Sequence, residues 1–217
     1  MIESIFQIIW SIPAVLIAIT VHEYAHGFMA YHCGDPTAKF AGRLTLNPIA
    51  HLDPVGTLML ILFRIGWAKP VPVNYNNMKE PKRDMIKVSL AGPIANIIIA
   101  FIFAMVLKLN NLFFQYLVYN NNAYNYPDII ITFIRGWLIF LQTGILINLI
   151  LAIFNLIPIP PLDGNHILLG LLPDNLARQY AKVNHTYGIL ILLLLIWTGF
   201  IGNVIFPIAY YFFRLFI

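Results

Sequence analysis

Residues 5–31 read IFQIIWSIPAVLIAITVHEYAHGFMAY, and this stretch decides the fold. Seventeen uncharged residues, 5–21, run straight into His22-Glu23-Tyr24-Ala25-His26. Residues four apart lie on one face of a helix, so H-E-x-x-H brings two imidazoles to one metal ion. Glu23 is not a ligand in this pattern; it is placed to take a proton from water activated by the metal. Ionisable side chains at membrane depth are expensive and mark a functional site by default. The stretch therefore reads as a metal-dependent peptidase centre inside a bilayer.

Composition agrees. The chain has 217 residues, 60% hydrophobic and 10% charged, with a mean hydropathy of +0.79. A soluble domain is about 45–50% apolar and about 25% charged. The expectation is an all-α polytopic membrane protein with about four to six transmembrane helices. Cys33 is the single cysteine, which excludes an internal disulfide and a Cys-rich zinc site. The net charge of +4 follows topology, so no nucleic-acid partner is expected. The N-terminal stretch does not read as a signal peptide, because it carries Glu3 rather than lysines and runs into the metal motif.

About 20 apolar residues cross the hydrocarbon core. Spans are expected at about 5–31, 85–107, 129–157 and 187–217, all within one membrane-embedded domain. The last is long enough for one tilted helix or for two short ones broken near Gly199 and Gly202. Between the first two spans, residues 40–75 read as short strands, a β-hairpin, plus a re-entrant piece around VGTLMLILF (55–63). Tyr116, Tyr119, Tyr124 and Tyr126 suit an aromatic interface belt, and Arg135 is expected to snorkel outward. Eight of the 13 basic residues fall between Lys39 and Lys87, and residues 109–128 contain none. The positive-inside rule then puts 32–84 and 158–186 in the cytosol and the N-terminus outside. At ~1.5 Å per residue, His22 and His26 lie on the order of 10–15 Å below the cytosolic surface.

A tetrahedral zinc site needs a third protein ligand and keeps a fourth position open. Depth selects it. Asp128 is on the far side, and Asp35, Glu80 and Asp84 lie in polar cytosolic stretches. Asp163 follows Pro158, Pro160 and Pro161, which break the third span in the cytosolic half of the membrane, and Gly164 permits the turn that presents it. For Asn155, eight residues earlier, two readings stand side by side: a donor to the oxyanion of a tetrahedral intermediate, or a helix C-cap or interhelical hydrogen bond. His51 and Asp53 read as loop structure, His166 as a neighbour of the Asp163 turn, and His32 and His185 as interfacial.

HEYAH, AGRLTLNPIAHLDPVGT, GWAKPVPVN, SLAGPIAN and FNLIPIPPLDGNHIL, in that order, resemble the site-2 protease family of intramembrane zinc metalloproteases, peptidase family M50. The resemblance implies one Zn2+ per chain on His22, His26 and Asp163, with Glu23 as general base and Asn155 as a stabiliser of substrate or intermediate. It implies cleavage of transmembrane segments of other proteins within the lipid bilayer, and its GPxxN setting implies a place near the site for Asn96. The chain looks like the compact members, without PDZ-like or CBS-like domains, and like a prokaryotic plasma-membrane protein.

A transmembrane substrate must unwind to expose its scissile carbonyl. The stretch W67-A-K-P-V-P-V-N74 is expected to pair with it by strand addition, with Trp67 and Val71 as contacts; Asn96 reads either as a further substrate-facing residue or as a partner of a neighbouring helix. A silent helix-binding chaperone and a zinc-handling protein are the competing classes. Transport favours several exchangeable sites, and a silent relative typically loses Glu23 or a ligand.

Overall fold

The computed structural model describes residues 2–63, 66–119 and 127–217. Eight helices occur among them. α1 (Ile2–His32) carries the H-E-x-x-H motif. α2 (Thr37–Phe40) and α3 (Pro54–Phe63) are short, and α4 (Pro81–Tyr119) and α5 (Asp128–Asn155) are long. α6 (Asp163–Leu171) leads to α7 (Asp174–Trp197), which bends by 64° between Asn184 and Thr186. A π-helical turn at Ile201–Ile205 then leads into α8 (Phe206–Phe216). The last apolar stretch is thus two helices, broken at Gly199, whose φ of +76° suits glycine.

α1, α4 and α5 are each long and apolar enough to cross a membrane, and the bent pair within α7 makes up to four such spans. The chain is an integral membrane protein. Lipid offers no hydrophobic drive between helices, so small residues and buried polar groups set the packing. A Cβ at Gly144 would enter the Phe103 ring, and one at Gly136 the Trp10 indole, which seats α5 against both α4 and α1. A buried cluster joins Ala100, Ala104 and Leu107 of α4 to Leu141, Ile145 and Leu149 of α5 and Ala209 of α8.

α1 stops where the sequence allows a left-handed residue. Gly34 has φ +107°, its N–H donates to Tyr31 O, and Asp35 N–H donates to Ala30 O at 2.9 Å, a Schellman closure. The fully buried Asp35 carboxylate then accepts from Asn74 N at 2.7 Å, Asn77 Nδ2 at 2.8 Å, Thr37 N at 3.1 Å and the Thr37 hydroxyl. Burial alone would raise its pKa; these donors outweigh burial and hold the carboxylate below its ordinary value.

The expected hairpin within 40–75 is not formed among the described residues. One antiparallel bridge, Leu52 with Ala68, is all that remains of it, carried by Lys69 N–H to His51 O at 2.9 Å. Pro70 and Pro72 supply no N–H to extend a ladder. On the partner side the chain turns into helix at Pro48–His51 and again at α3, started by Asp53, whose carboxylate accepts from Gly56 N–H at 2.7 Å. His51 is buried and its Nε2 donates to Thr45 O at 2.8 Å, so His51 and Asp53 organise the loop. Arg135 pairs with Glu3 at 2.8 Å on an exposed surface. Arg64, Tyr124 and Tyr126, and the side chains of Tyr116, Tyr119 and His185, lie outside the described residues.

Candidate metal centre

α1 carries Ala18, His22 and His26 at four-residue intervals, and α4 carries Val88, Gly92 and Asn96 at the same interval. Residues four apart share a face, so the two helices meet stripe to stripe. His26 Nδ1 lies 2.8 Å from Val88 O, and His22 Nδ1 lies 2.6 Å from Asn96 Oδ1. Gly92 sits between these bonds. A Cβ there would stand 2.6 Å from His22 Cε1 and 2.7 Å from His26 Cε1, and closer still to His26 Nε2. Only hydrogen fits.

The bonds assign the tautomers. Val88 O only accepts, so His26 Nδ1 carries the proton. Asn96 Nδ2 donates to Ala18 O at 3.1 Å and to Asn148 Oδ1 at 2.7 Å, which leaves its Oδ1 to accept from His22 Nδ1–H. Both Nε2 atoms are then lone-pair acceptors, 3.0 Å apart.

Asp163 completes the group. α5 ends at Asn155, and the prolines at 158, 160 and 161 prevent its continuation. A Cβ at Gly164 would run into the carbonyl oxygens of Leu156 and Ile157, so the turn folds back tightly onto the end of α5 only because residue 164 is glycine. α7 holds α6 through Asn184 Nδ2 to Asn165 Oδ1 at 3.0 Å and the proline turn before it through the Tyr180 hydroxyl to Pro158 O. Asp163 Oδ2 then lies 3.3 Å from each Nε2.

These three residues form the one such cluster among the described residues, with ligand atoms within 4.8 Å of one another. The donor set fits a metal ion on the structure's own terms. Asp163 Oδ2 is buried without a hydrogen-bond donor, and the two nitrogens that face it have their protons on the far side of the ring. Three electron-rich atoms facing one another cost several kcal/mol unless a cation lies among them. The two Nε2–Oδ2 separations of 3.3 Å match the ~3.3–3.4 Å that tetrahedral bonds of about 2.0–2.1 Å require, and the Nε2–Nε2 separation of 3.0 Å is shorter than that by about 0.3 Å. Glu23 points elsewhere: its Oε2 accepts from Val71 N–H at 2.8 Å, so it borders the three without joining them.

The family model for peptidase family M50 matches residues 10–196. The chain belongs to this family. YwhC of Bacillus subtilis is 39% identical over 193 residues, which cover 89% of this chain and 82% of its own. Rip2 of Mycolicibacterium smegmatis is 30% identical, covering 91% of this chain and 70% of its own. MJ0392 of Methanocaldococcus jannaschii is 26% identical over 83% of this chain and 39% of its own. The words zinc metalloprotease stand in all three names. No solved structure matches the chain.

In this M50 peptidase, some sequence expectations meet a different geometry. Asn96 is fully buried, and its bonds to His22, Ala18 and Asn148 leave it no face for a substrate. It supports His22 instead. Asn155 Nδ2 donates to Leu151 O at 3.1 Å, four residues back on its own helix. Val71 is buried, with its N–H spent on Glu23 and its side chain 3.2 Å from where a Cβ on Gly27 would stand. Trp67 is half exposed and free for contact. His166 faces Tyr75 at 5.6 Å between ring centroids; burial holds the imidazole below its ordinary pKa and raises the Tyr75 hydroxyl. His32 is exposed, bonded to Phe28 O.

Three partners escaped sequence reasoning. The Val88 carbonyl is backbone and leaves no side-chain signal. The Val71 N–H is backbone too. Asn148 did leave one: it is an amide in the middle of an apolar span, where a polar residue needs a partner.

Proposed function

We propose that this protein hydrolyses peptide bonds within transmembrane segments of other membrane proteins, using one zinc ion held by His22, His26 and Asp163. The observation that carries the reading is the convergence of two lone-pair nitrogens, on a helix long and apolar enough to cross a membrane, with an unpartnered carboxylate oxygen beside Glu23. When bound, zinc supplies the Lewis acidity that lowers the pKa of water toward ~7 and polarises a carbonyl.

The chain's own residues do the rest. Val88 and Asn96 hold the imidazoles in the tautomer that aims both Nε2 atoms inward. Glu23, next to His22, accepts the water proton and passes it to the leaving amine, while Val71 N–H fixes one of its oxygens. Asn155 exchanges its bond to Leu151 O for the developing oxyanion. The substrate helix unwinds and lies along the extended segment 66–73, where Trp67 is the exposed contact. The positive-inside rule puts the N-terminus outside and the centre toward the cytosol of a prokaryotic plasma membrane.

The test is metal content and cleavage of helical transmembrane peptides by purified protein in detergent, beside Glu23→Gln and Asp163→Ala. Stoichiometric zinc, chelator-sensitive cutting within the apolar segment, and loss of cutting with zinc retained in Glu23→Gln are expected. Bound zinc with cleavage indifferent to Glu23 overturns the protease reading.

A further inference from the structure

We propose that Asn148 is a positioning residue for the metal centre: from a third helix, it fixes the amide orientation of Asn96 and thereby the tautomer and zinc affinity of His22. The inference rests on the zinc reading above and assigns that site a member from α5.

The relay runs from one end of a buried chain of bonds. Gly144 O is a carbonyl and only accepts, so the atom of Asn148 that lies 2.7 Å from it is the Nδ2 donor. Its Oδ1 therefore faces Asn96, whose Nδ2 donates to it at 2.7 Å. Asn96 Oδ1 then faces His22 Nδ1 at 2.6 Å and accepts its proton. The Nε2 lone pair is left for the metal. Each direction follows from the one before, and the chain starts at a backbone atom that cannot reverse. Ala18 O backs it by accepting the second Asn96 proton at 3.1 Å.

Burial makes the arrangement strict. Asn96 and Asn148 both have no exposed surface. No water competes for these amides, and an inverted Asn96 would set its oxygen against two acceptors, Asn148 Oδ1 and Ala18 O, while pushing the His22 proton onto Nε2. Without Asn148, only Ala18 O opposes that inversion. Outer partners of this kind are typically worth 10–100-fold in metal affinity. Asn148 acts one bond further out, which places its effect near the lower end, about tenfold. The same helix leads through the proline turn to Asp163, so α5 governs one ligand covalently and another through this relay.

The competing role is plain packing, a polar bond that joins α4 to α5. A double-mutant cycle separates the two. Zinc dissociation constants are measured by competition with a chromophoric chelator, and visible spectra of the cobalt-loaded protein report the ligand field. Thermal unfolding of metal-free protein serves as the packing control. Asn148→Leu is expected to weaken zinc binding about tenfold and to shift the cobalt bands. In an Asn96→Leu background, where the relay is already cut, the same change is expected to alter the constant by less than about twofold. Equal losses in both backgrounds, or a lower unfolding temperature with an unchanged zinc constant, overturn the proposal. Should Asn148→Leu not yield folded protein, Asn148→Asp decides: a neutral carboxyl keeps a donor for Gly144 O and an acceptor for Asn96, so affinity within about threefold of the parent is expected and a tenfold loss refutes it. A parent that binds no zinc refutes the site itself; a parent that binds it beside an indifferent Asn148→Leu refutes only the relay.

Discussion

Gly92→Ala is the sharpest test of how the centre is built. Its Cβ would lie 2.6 Å from His22 Cε1 and 2.7 Å from His26 Cε1, where ordinary contact begins at 3.4 Å. The shortfall is ~0.7–0.8 Å, and it falls on rings whose Nδ1 atoms are already tied to Val88 and Asn96. Neither ring can rotate away without breaking its bond, so α4 must retreat from α1 or the two Nε2 atoms must part. Metal sites tolerate about ±0.2 Å in their ligand distances, several times less than this displacement. Overpacking of a tight contact costs about 1–3 kcal/mol, which corresponds to a zinc constant weakened about 5–150-fold. Zinc stoichiometry and chelator competition on purified protein measure it, with turnover of a transmembrane peptide alongside. Gly202→Ala is the control, because a Cβ there meets nothing within 4 Å. Wild-type zinc affinity in Gly92→Ala would refute the stripe-to-stripe contact and the tautomer argument with it.

Further outcomes follow from the same geometry. Val71→Pro removes the N–H that holds Glu23 and is expected to lower turnover about tenfold or more with zinc retained, while Val71→Ala keeps the donor and most of the activity. Asn155→Ala is expected to lower kcat about 100-fold with an unchanged zinc constant; an unaltered kcat would leave Asn155 with its intrahelical bond to Leu151 O as its whole role. Asp35→Ala strips the partner from Asn74 N, Asn77 Nδ2 and Thr37 N and is expected to lower stability by about 1–3 kcal/mol, read as a fall in unfolding temperature. The Asp35 carboxylate is held below its ordinary value, so its contribution is complete above the unfolded pKa of about 3.9 and is lost as pH falls through the lower folded value. A pH-stability profile of Asp35→Asn that parallels the parent's in that acid window would contradict this.

The convergence of the candidate residues was legible in the sequence to the extent that they are side chains with a strong local reason to be where they are. His22, His26 and Glu23 follow from the helical repeat and from the cost of polar groups in lipid. Asp163 follows from depth and from the prolines that end the third span. The long apolar helices follow from length alone. The strand expectation within 40–75 failed because alternation is a local pattern, whereas a ladder needs N–H groups that Pro70 and Pro72 do not supply and a partner strand that the chain instead folds as helix at Pro48–His51 and α3.

Tertiary structure decided how the candidate ligand atoms are aimed. Val88 O, Val71 N–H and Ala18 O are backbone atoms common to nearly every residue, so no residue type announces them. Asn96 reads as a substrate contact or as a partner of a neighbouring helix until α1 and α5 close around it. Helical periodicity and membrane depth are properties of one segment and can be read from it. The direction of a hydrogen bond between residues separated by 52 or 74 positions is settled only when three helices pack and water is excluded from the space between them.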